Sequence, residues 1–231
     1  VGGLKAMAQR IAHEMRSPLA HLRDDLDAAR RAADPAQAER LGALVGEVDE
    51  MIAVFGALLD VTLAEAAAGD PKGLAPAALD EILAEAVELY EAVAEERGVA
   101  LSYAPRGEAT IMGDRHLLLR MFANLIDNAV KFSPPGGAVE IALRREGDAA
   151  TVAVRDHGPG LPEGFETRAF ELFARAANAR STPGHGLGLA LARAVATRHA
   201  MTIALENAAP GLRVVVKGRA ITAAAGAPAR S

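Results

Sequence analysis

The chain has 231 residues, 51% of them apolar and 24% charged, which is enough for one large domain or two small ones held by burial alone. The absence of Cys removes disulfides, thiolate metal sites and Cys nucleophiles, and a net charge of -5 without runs of like charge removes a phosphate-backbone binder, so nucleic acid is not an expected partner. No apolar stretch reaches the roughly 18 residues of a bilayer span, and Val1 to Arg10 lacks a signal-peptide core, so a cytoplasmic piece with no membrane contact of its own is expected.

Leu4 to about Ala67 reads as helix, broken once at Ala33-Asp34-Pro35, where Asp and Pro supply turn and helix-start chemistry. In the second arm Leu41, Leu44, Val48, Met51, Phe55, Leu58 and Thr62 recur in steps of three and four, and the first arm answers with Leu4, Met7, Ile11, Met15, Leu19, Leu22 and Leu26. Two helices of about 30 residues cannot shield both stripes from water, so a homodimer closing a four-helix bundle is expected. Gly69-Asp70-Pro71-Lys72-Gly73 is a Gly/Pro junction, after which helix and strand patterns mix.

Ala77 to Arg97 is expected to be helical, stopped by Gly98, with strands at Val99 to Tyr103 and Ala109 to Met112. A helix from about Asp114 to Phe132 ends at Ser133-Pro134-Pro135-Gly136-Gly137, ahead of strands at Val139 to Arg145 and Thr151 to Arg155. A last helix covers Leu187 to His199, and Thr202 to Glu206 with Leu212 to Lys217 form a hairpin about Ala209-Pro210-Gly211. The expected organisation is α+β: a helical hairpin over 1–68, a linker over 69–76, an α/β sandwich over 77–218 and a disordered tail over 219–231.

Two constellations of residues carry chemistry, the second built from three elements. His13 lies about 200° around its helix from Ile11, off the apolar stripe, with Glu14 beside it and Ser17 one turn on, so a carboxylate and a hydroxyl flank an exposed imidazole nucleophile. Pro18 in the same helix removes a backbone hydrogen bond at a cost of roughly 3 kcal/mol. Alone, a His-Glu pair on an exposed helix is more often a solvated face. A zinc-protease reading is weaker, because a second His would have to stand at Ser17. His21, His116, His157, His185 and His199 show no ligand spacing.

Asn124, Asn128 and Lys131 fall within about 60° of one another on a helix, opposite Leu118, Phe122, Leu125 and Ala129. Amide oxygens suit a hard cation such as Mg²⁺ and an ammonium suits phosphate, although Asn on an outer helix face is often polar filler. Asp156-His157-Gly158-Pro159-Gly160 follows a strand, where an acid can accept from an exocyclic amine and glycines admit a flat ring. Gly184-His185-Gly186-Leu187-Gly188 opens a helix whose free N–H groups invite an anion. A dinucleotide fingerprint is disfavoured, since Ala174 to Pro183 reads as polar loop and not as the strand that motif needs. In this order the three elements describe a nucleotide site.

With these residues the sequence resembles the sensor histidine kinases of two-component signalling, whose nucleotide-binding half belongs to the family shared by gyrase, Hsp90 and MutL. His13 to Leu19 is similar to the H box, Asn124 to Lys131 to the N box, Asp156 to Gly160 to the G1 box, Phe170 to Phe173 to the F box and Gly184 to Leu189 to the G2 box. The resemblance implies a dimerisation and phosphotransfer hairpin followed by a Bergerat-type ATP-binding sandwich. His13 would accept the γ-phosphate of ATP, Glu14 would polarise it, and the phosphoryl group would pass to an Asp of a response regulator. Asn128 would ligate Mg²⁺ with support from Asn124, Lys131 would contact phosphate, and Phe132 would line the adenine pocket. Asp156 would read the adenine amine, with Gly158 and Gly160 shaping the wall. Leu161 to His185 would form the ATP lid, in which Arg175 approaches the phosphates above Gly184, Gly186, Leu187 and Gly188.

Two departures bear on activity. Ser17 stands where the H box commonly has Thr, which puts regulator dephosphorylation in question, and His157 replaces the usual Asn of the G1 box. The rival reading is a nucleotide-binding scaffold or phosphatase-biased protein without kinase activity. A gyrase-type or Hsp90-type hydrolase is disfavoured, because those lack an H box and usually carry a Glu where Asn124 stands. The sensory and membrane-spanning parts typical of such kinases are expected in a longer parent.

Overall fold

In a computed structural model the described residues are 2–176 and 184–221, without the side chains of residues 2–13, 15 and 16. The chain divides into two compact units, Val1–Ala67 and Ala68–Ser231.

The first unit is a helical hairpin of α1 (Gly2–Ala32) and α2 (Pro35–Ala66). The break falls where Asp34 and Pro35 place it. Asp34 caps α2 by accepting from the Gln37 N–H, and Pro35 takes the first-turn position where a missing N–H costs nothing. α1 runs unbroken through Pro18. Arg23 of α1 bonds Asp49 of α2 across the hairpin at 2.7 Å. Leu22, Leu44 and Met51 remain exposed at 47%, 44% and 54%, so the stripes are not fully covered within one hairpin.

The second unit contains β1 (Ala75–Ala78), α3 (Leu79–Glu96), β2 (Ala100–Arg106), β3 (Thr110–Gly113), α4 (Arg115–Phe132), β4 (Ala138–Glu146), β5 (Ala149–Asp156), α5 (Gly188–Arg198), β6 (Thr202–Asn207) and β7 (Leu212–Arg219). The main sheet has the order β2-β4-β5-β7-β6, parallel between β2 and β4 and antiparallel elsewhere. Its apolar rows run across the strands: Ile141, Val154 and Val214 form one rung and Leu143, Val152 and Val216 the next, all buried. Buried Leu118, Phe122 and Leu125 of α4 and Leu191 and Val195 of α5 complete the core.

Two expectations are corrected. Ala75 to Ala78 forms a strand antiparallel to β3, so the third helix starts at Leu79 and not at Ala77. Pro76, which has no N–H to give, is tolerated because the sheet is only two-stranded. The expected disordered tail begins too early, because Arg219 closes β7 and Ala220 is buried with its N–H on Asp148 O at 2.7 Å. Ile221 donates to Thr110 O at 2.7 Å, and residues 222–231 lie outside the described residues.

Buried Arg198, at the end of α5, donates to the Asp70 carbonyl and, at 2.8 Å, to that of Lys72, which fixes the start of this unit on its last helix. The neighbouring His199 is also buried. Its Nδ1–H donates to Val195 O at 2.7 Å and its Nε2 accepts the Asp114 N–H at 2.9 Å, so the neutral ring joins the end of α5 to the start of α4. Burial first, and Arg198 as well, hold this imidazole below its ordinary value, against the opposing pull of the Val195 carbonyl and Asp114. The unfolded chain therefore takes up the proton at higher pH than the folded one. This contribution to stability is complete above the ordinary His value of 6.5 and is lost as pH falls through the folded value. The urea midpoint is expected to drop between about pH 7.5 and about pH 5.5, and the drop should shrink in His199→Gln.

Candidate functional site

α4 is the spine of the site. Asp114 starts it by accepting from the His116 and Leu117 N–H groups at 3.0 and 3.1 Å. Its apolar face turns inward, and Asn124, Asn128 and Lys131 are left half-buried on the other. Asn124 commits Nδ2 to Arg120 O at 2.8 Å. A β-carbon built on Gly188 would lie 2.9 Å from Asn128 Nδ2 and 3.5 Å from Asn124 Oδ1. The first residue of α5 is therefore drawn onto the amide pair, at a distance that glycine permits. Leu187, the cap of α5, is buried and offers its helix no side-chain hydrogen bond, so the first-turn N–H groups lie beside the two amides without a side-chain cap.

Lys131 has a carboxylate partner that its expected role does not include. Its Nζ lies 2.6 Å from Asp127 Oδ2, one turn back. The same carboxylate lies near Tyr90 of α3, whose hydroxyl is pushed up to about 12 by burial and by that charge. An ammonium has three donors, so the pair with Asp127 occupies only part of its capacity.

The last residue of α4, Phe132, meets the turn that follows β5. Asp156 shares a sheet face with Val152 and Val154 and stands opposite Val139, which explains why a carboxylate is 6% exposed. Its Oδ1 accepts from Gly158 N–H at 2.7 Å and Leu212 N–H at 3.1 Å. Burial pushes this carboxyl above its ordinary value, against the lowering effect of those two hydrogen bonds. A β-carbon on Gly158 would lie 2.5 Å from Phe132 O, so the glycine turn presses on the last residue of α4. Gly160 is left-handed at φ +70°.

The segment beyond Gly160 is built from turns, closed by bonds such as Ala169 N–H to Phe165 O at 2.9 Å. Phe170 lies under the Arg193 guanidinium, 5.9 Å from the ring centre. Phe173 donates its N–H to Gly186 O at 3.0 Å, and a β-carbon on Gly186 would lie 2.6 Å from Ala174 O. This ties the end of the turn-rich segment to the glycines that open α5. Arg175 is exposed and Gly184 has a positive φ of +143°, which favours glycine. Residues 177–183 of the expected lid lie outside the described residues.

Asn124, Asn128 and Gly188 are thus brought together, as are Asp156, Gly158 and Phe132. His13, Glu14 and Ser17 belong to the helical unit. α1 runs through His13, whose side chain lies outside the described residues, and Glu14 and Ser17 are exposed. Sequence reasoning missed Leu212, whose N–H holds Asp156, and Asn207, which bonds the backbone of Leu161. A backbone donor leaves no residue signature, and an Asn at a strand end reads only as a turn former. The Asp127–Lys131 pair was signalled by its four-residue spacing.

Comparison with known proteins gives a consistent picture. Residues 113–221 match the family model of histidine kinase-, DNA gyrase B- and HSP90-like ATPases. The chain is 33% identical over 223 residues to the signal transduction histidine-protein kinase/phosphatase MprB of Mycolicibacterium vanbaalenii, covering 90% of this chain and 45% of that protein. It is 33% identical over 212 residues to the sensor-like histidine kinase SenX3 of Mycolicibacterium smegmatis, covering 84% of this chain and 52% of that protein. The chain therefore spans about half the length of the curated relatives it matches. Among solved structures, full-length ShkA in complex with AMPPNP superposes with a TM-score of 0.78 at 25% identity, over 96% of this chain and 47% of that one.

Proposed function

The chain belongs to the sensor histidine kinases, and from that premise we propose that it is an ATP-dependent kinase core that phosphorylates His13 and passes the phosphoryl group to an Asp of a response regulator. The observation that carries this reading is the convergence along the C-terminal half of α4: the amides of Asn124 and Asn128 meet Gly188, and one turn beyond Asn128, Phe132 meets Gly158 of the Asp156 turn.

Asp156 receives both of its described backbone hydrogen bonds on Oδ1, which leaves Oδ2 to accept from the adenine amine, with Gly158, Gly160 and Phe132 around the ring. The Gly184, Gly186, Leu187 and Gly188 segment and the first turn of α5 offer N–H groups to the phosphates, and Lys131 and Arg175 offer charge. Among the described residues no group of three His, Asp or Glu side chains could hold a metal alone. The amide oxygen of Asn128 fits a hard cation that completes its shell with phosphate oxygens and water, so Mg²⁺ would be held jointly by Asn128 and the substrate, with Asn124 in support. Bound there, Mg²⁺ supplies charge neutralisation at the phosphates.

In that reaction Glu14 would accept one ring N–H of His13 and take up its proton as the other ring nitrogen attacks the γ-phosphorus, while the bond to the bridging oxygen breaks and ADP leaves. The exposed Leu22, Leu44 and Met51 support a second copy that completes a four-helix bundle. Removal of phosphate from the regulator is a second reading, favoured by the exposed Ser17 and by the kinase/phosphatase name of the mycobacterial relative.

The test is incubation of the chain with γ-labelled Mg-ATP, followed by peptide mapping. Label is expected on His13 as an acid-labile, alkali-stable adduct that chases to an added receiver domain. Label on another residue, or none, would sink the assignment.

A further inference from the structure

The turn joining β6 to β7 takes part in the site. Asn207, the last residue of β6, grips the backbone of Leu161 with both ends of its amide: Oδ1 accepts the Leu161 N–H at 2.8 Å and Nδ2 donates to Leu161 O at 3.0 Å. A β-carbon on Gly160 would lie 2.8 Å from Asn207 Oδ1 and 3.2 Å from Gly211 O, so the left-handed glycine brings the chain close enough for the grip. Five residues beyond Asn207, Leu212 gives its N–H to Asp156 Oδ1 at 3.1 Å. One turn therefore holds the Asp156–Leu161 segment at both ends. Leu161 is the point from which the turn-rich segment departs.

The geometry points to Asn207 as a positioning residue for nucleotide recognition: its clamp on Leu161 fixes the Gly158–Gly160 wall against Asp156 and thereby sets affinity for the purine and discrimination between an amine and a carbonyl on it. Asn207 does so without touching the base. The two bonds engage the successive peptide groups on either side of the Leu161 α-carbon and so fix their mutual rotation, whereas a single hydrogen bond would leave one of them free to rock. The inference rests on reading the Asp156 pocket as the nucleotide site.

The test compares the full chain with Asn207→Ala and Asn207→Asp. Three quantities are read: amide hydrogen exchange at Leu161 without nucleotide, Mg-ATP affinity, and the ratio of ATP to GTP affinity. A urea midpoint confirms that each variant is folded. Asn207→Ala is expected to speed Leu161 exchange and to weaken ATP binding, each about tenfold, with a narrowed ATP-to-GTP ratio. Asn207→Asp keeps the acceptor for the Leu161 N–H and should fall between Ala and the parent. Faster exchange with unchanged affinity and ratio would make the clamp merely structural and overturn the proposal, as would unchanged exchange. A parent chain that binds no ATP would overturn the nucleotide reading and the proposal with it, a result told apart because exchange at Leu161 still reports on the clamp.

Discussion

Asn128→Ala is expected to slow phosphoryl transfer to His13 by about a hundredfold or more, with little change in the stability of the fold. Asn128 is half-buried on α4, and none of the described hydrogen bonds uses its amide. Alanine is the better helix former, so the helix loses nothing by the exchange. What disappears is the Asn128 amide, whose oxygen would hold the proposed cation and whose Nδ2 lies beside Gly188. The expected signature is specific: Mg²⁺ should no longer strengthen nucleotide binding, while the urea midpoint stays near that of the parent. Asn124→Ala should cost less, because that amide already supports the helix through Arg120. Normal transfer in Asn128→Ala would contradict the metal role.

The helix starts were legible because they are chemical. Asp34 before Pro35 and Asp114 before Arg115 announce caps in the sequence, and both side chains accept the first-turn N–H groups. The apolar face of α4 was legible from period alone, and with it the placement of Asn124, Asn128 and Lys131 on the opposite side. Ala75-Pro76-Ala77-Ala78 was not, because it has neither β-branched residues nor alternation and becomes a strand only by pairing with Thr110–Gly113. Ile221 was misread for the same reason, since its partner Thr110 is remote in sequence. Within the site, the chemistry of Asp156 was visible but its environment was not. The carboxylate's burial follows from strand register, and its second hydrogen bond comes from the backbone of Leu212. Local pattern reads one element at a time, whereas these features belong to pairs of elements.

Gly211→Ala is expected to be the most damaging single methyl in the second unit, lowering its stability by about 3 kcal/mol or more. Gly211 sits at φ +99°, and a β-carbon there would lie 1.8 Å from Asp156 O and 2.6 Å from the carbonyl carbon. Neither neighbour can yield cheaply, because Asp156 ends a strand held on both sides and its carboxylate is bonded to Gly158 and Leu212. Gly147→Ala separates strain from collision. That glycine has φ +60° but nothing within 4 Å of its β-carbon, so only the backbone cost of about 1 kcal/mol applies. Urea unfolding of the two variants should differ by the collision together with the added strain of φ +99°, which lies beyond the left-handed basin that +60° occupies. Because the displaced atoms belong to the residue proposed to read adenine, Gly211→Ala should also lose nucleotide binding where it remains folded, and Gly147→Ala should retain it. Equal losses in the two would show that Gly211 does not press on Asp156.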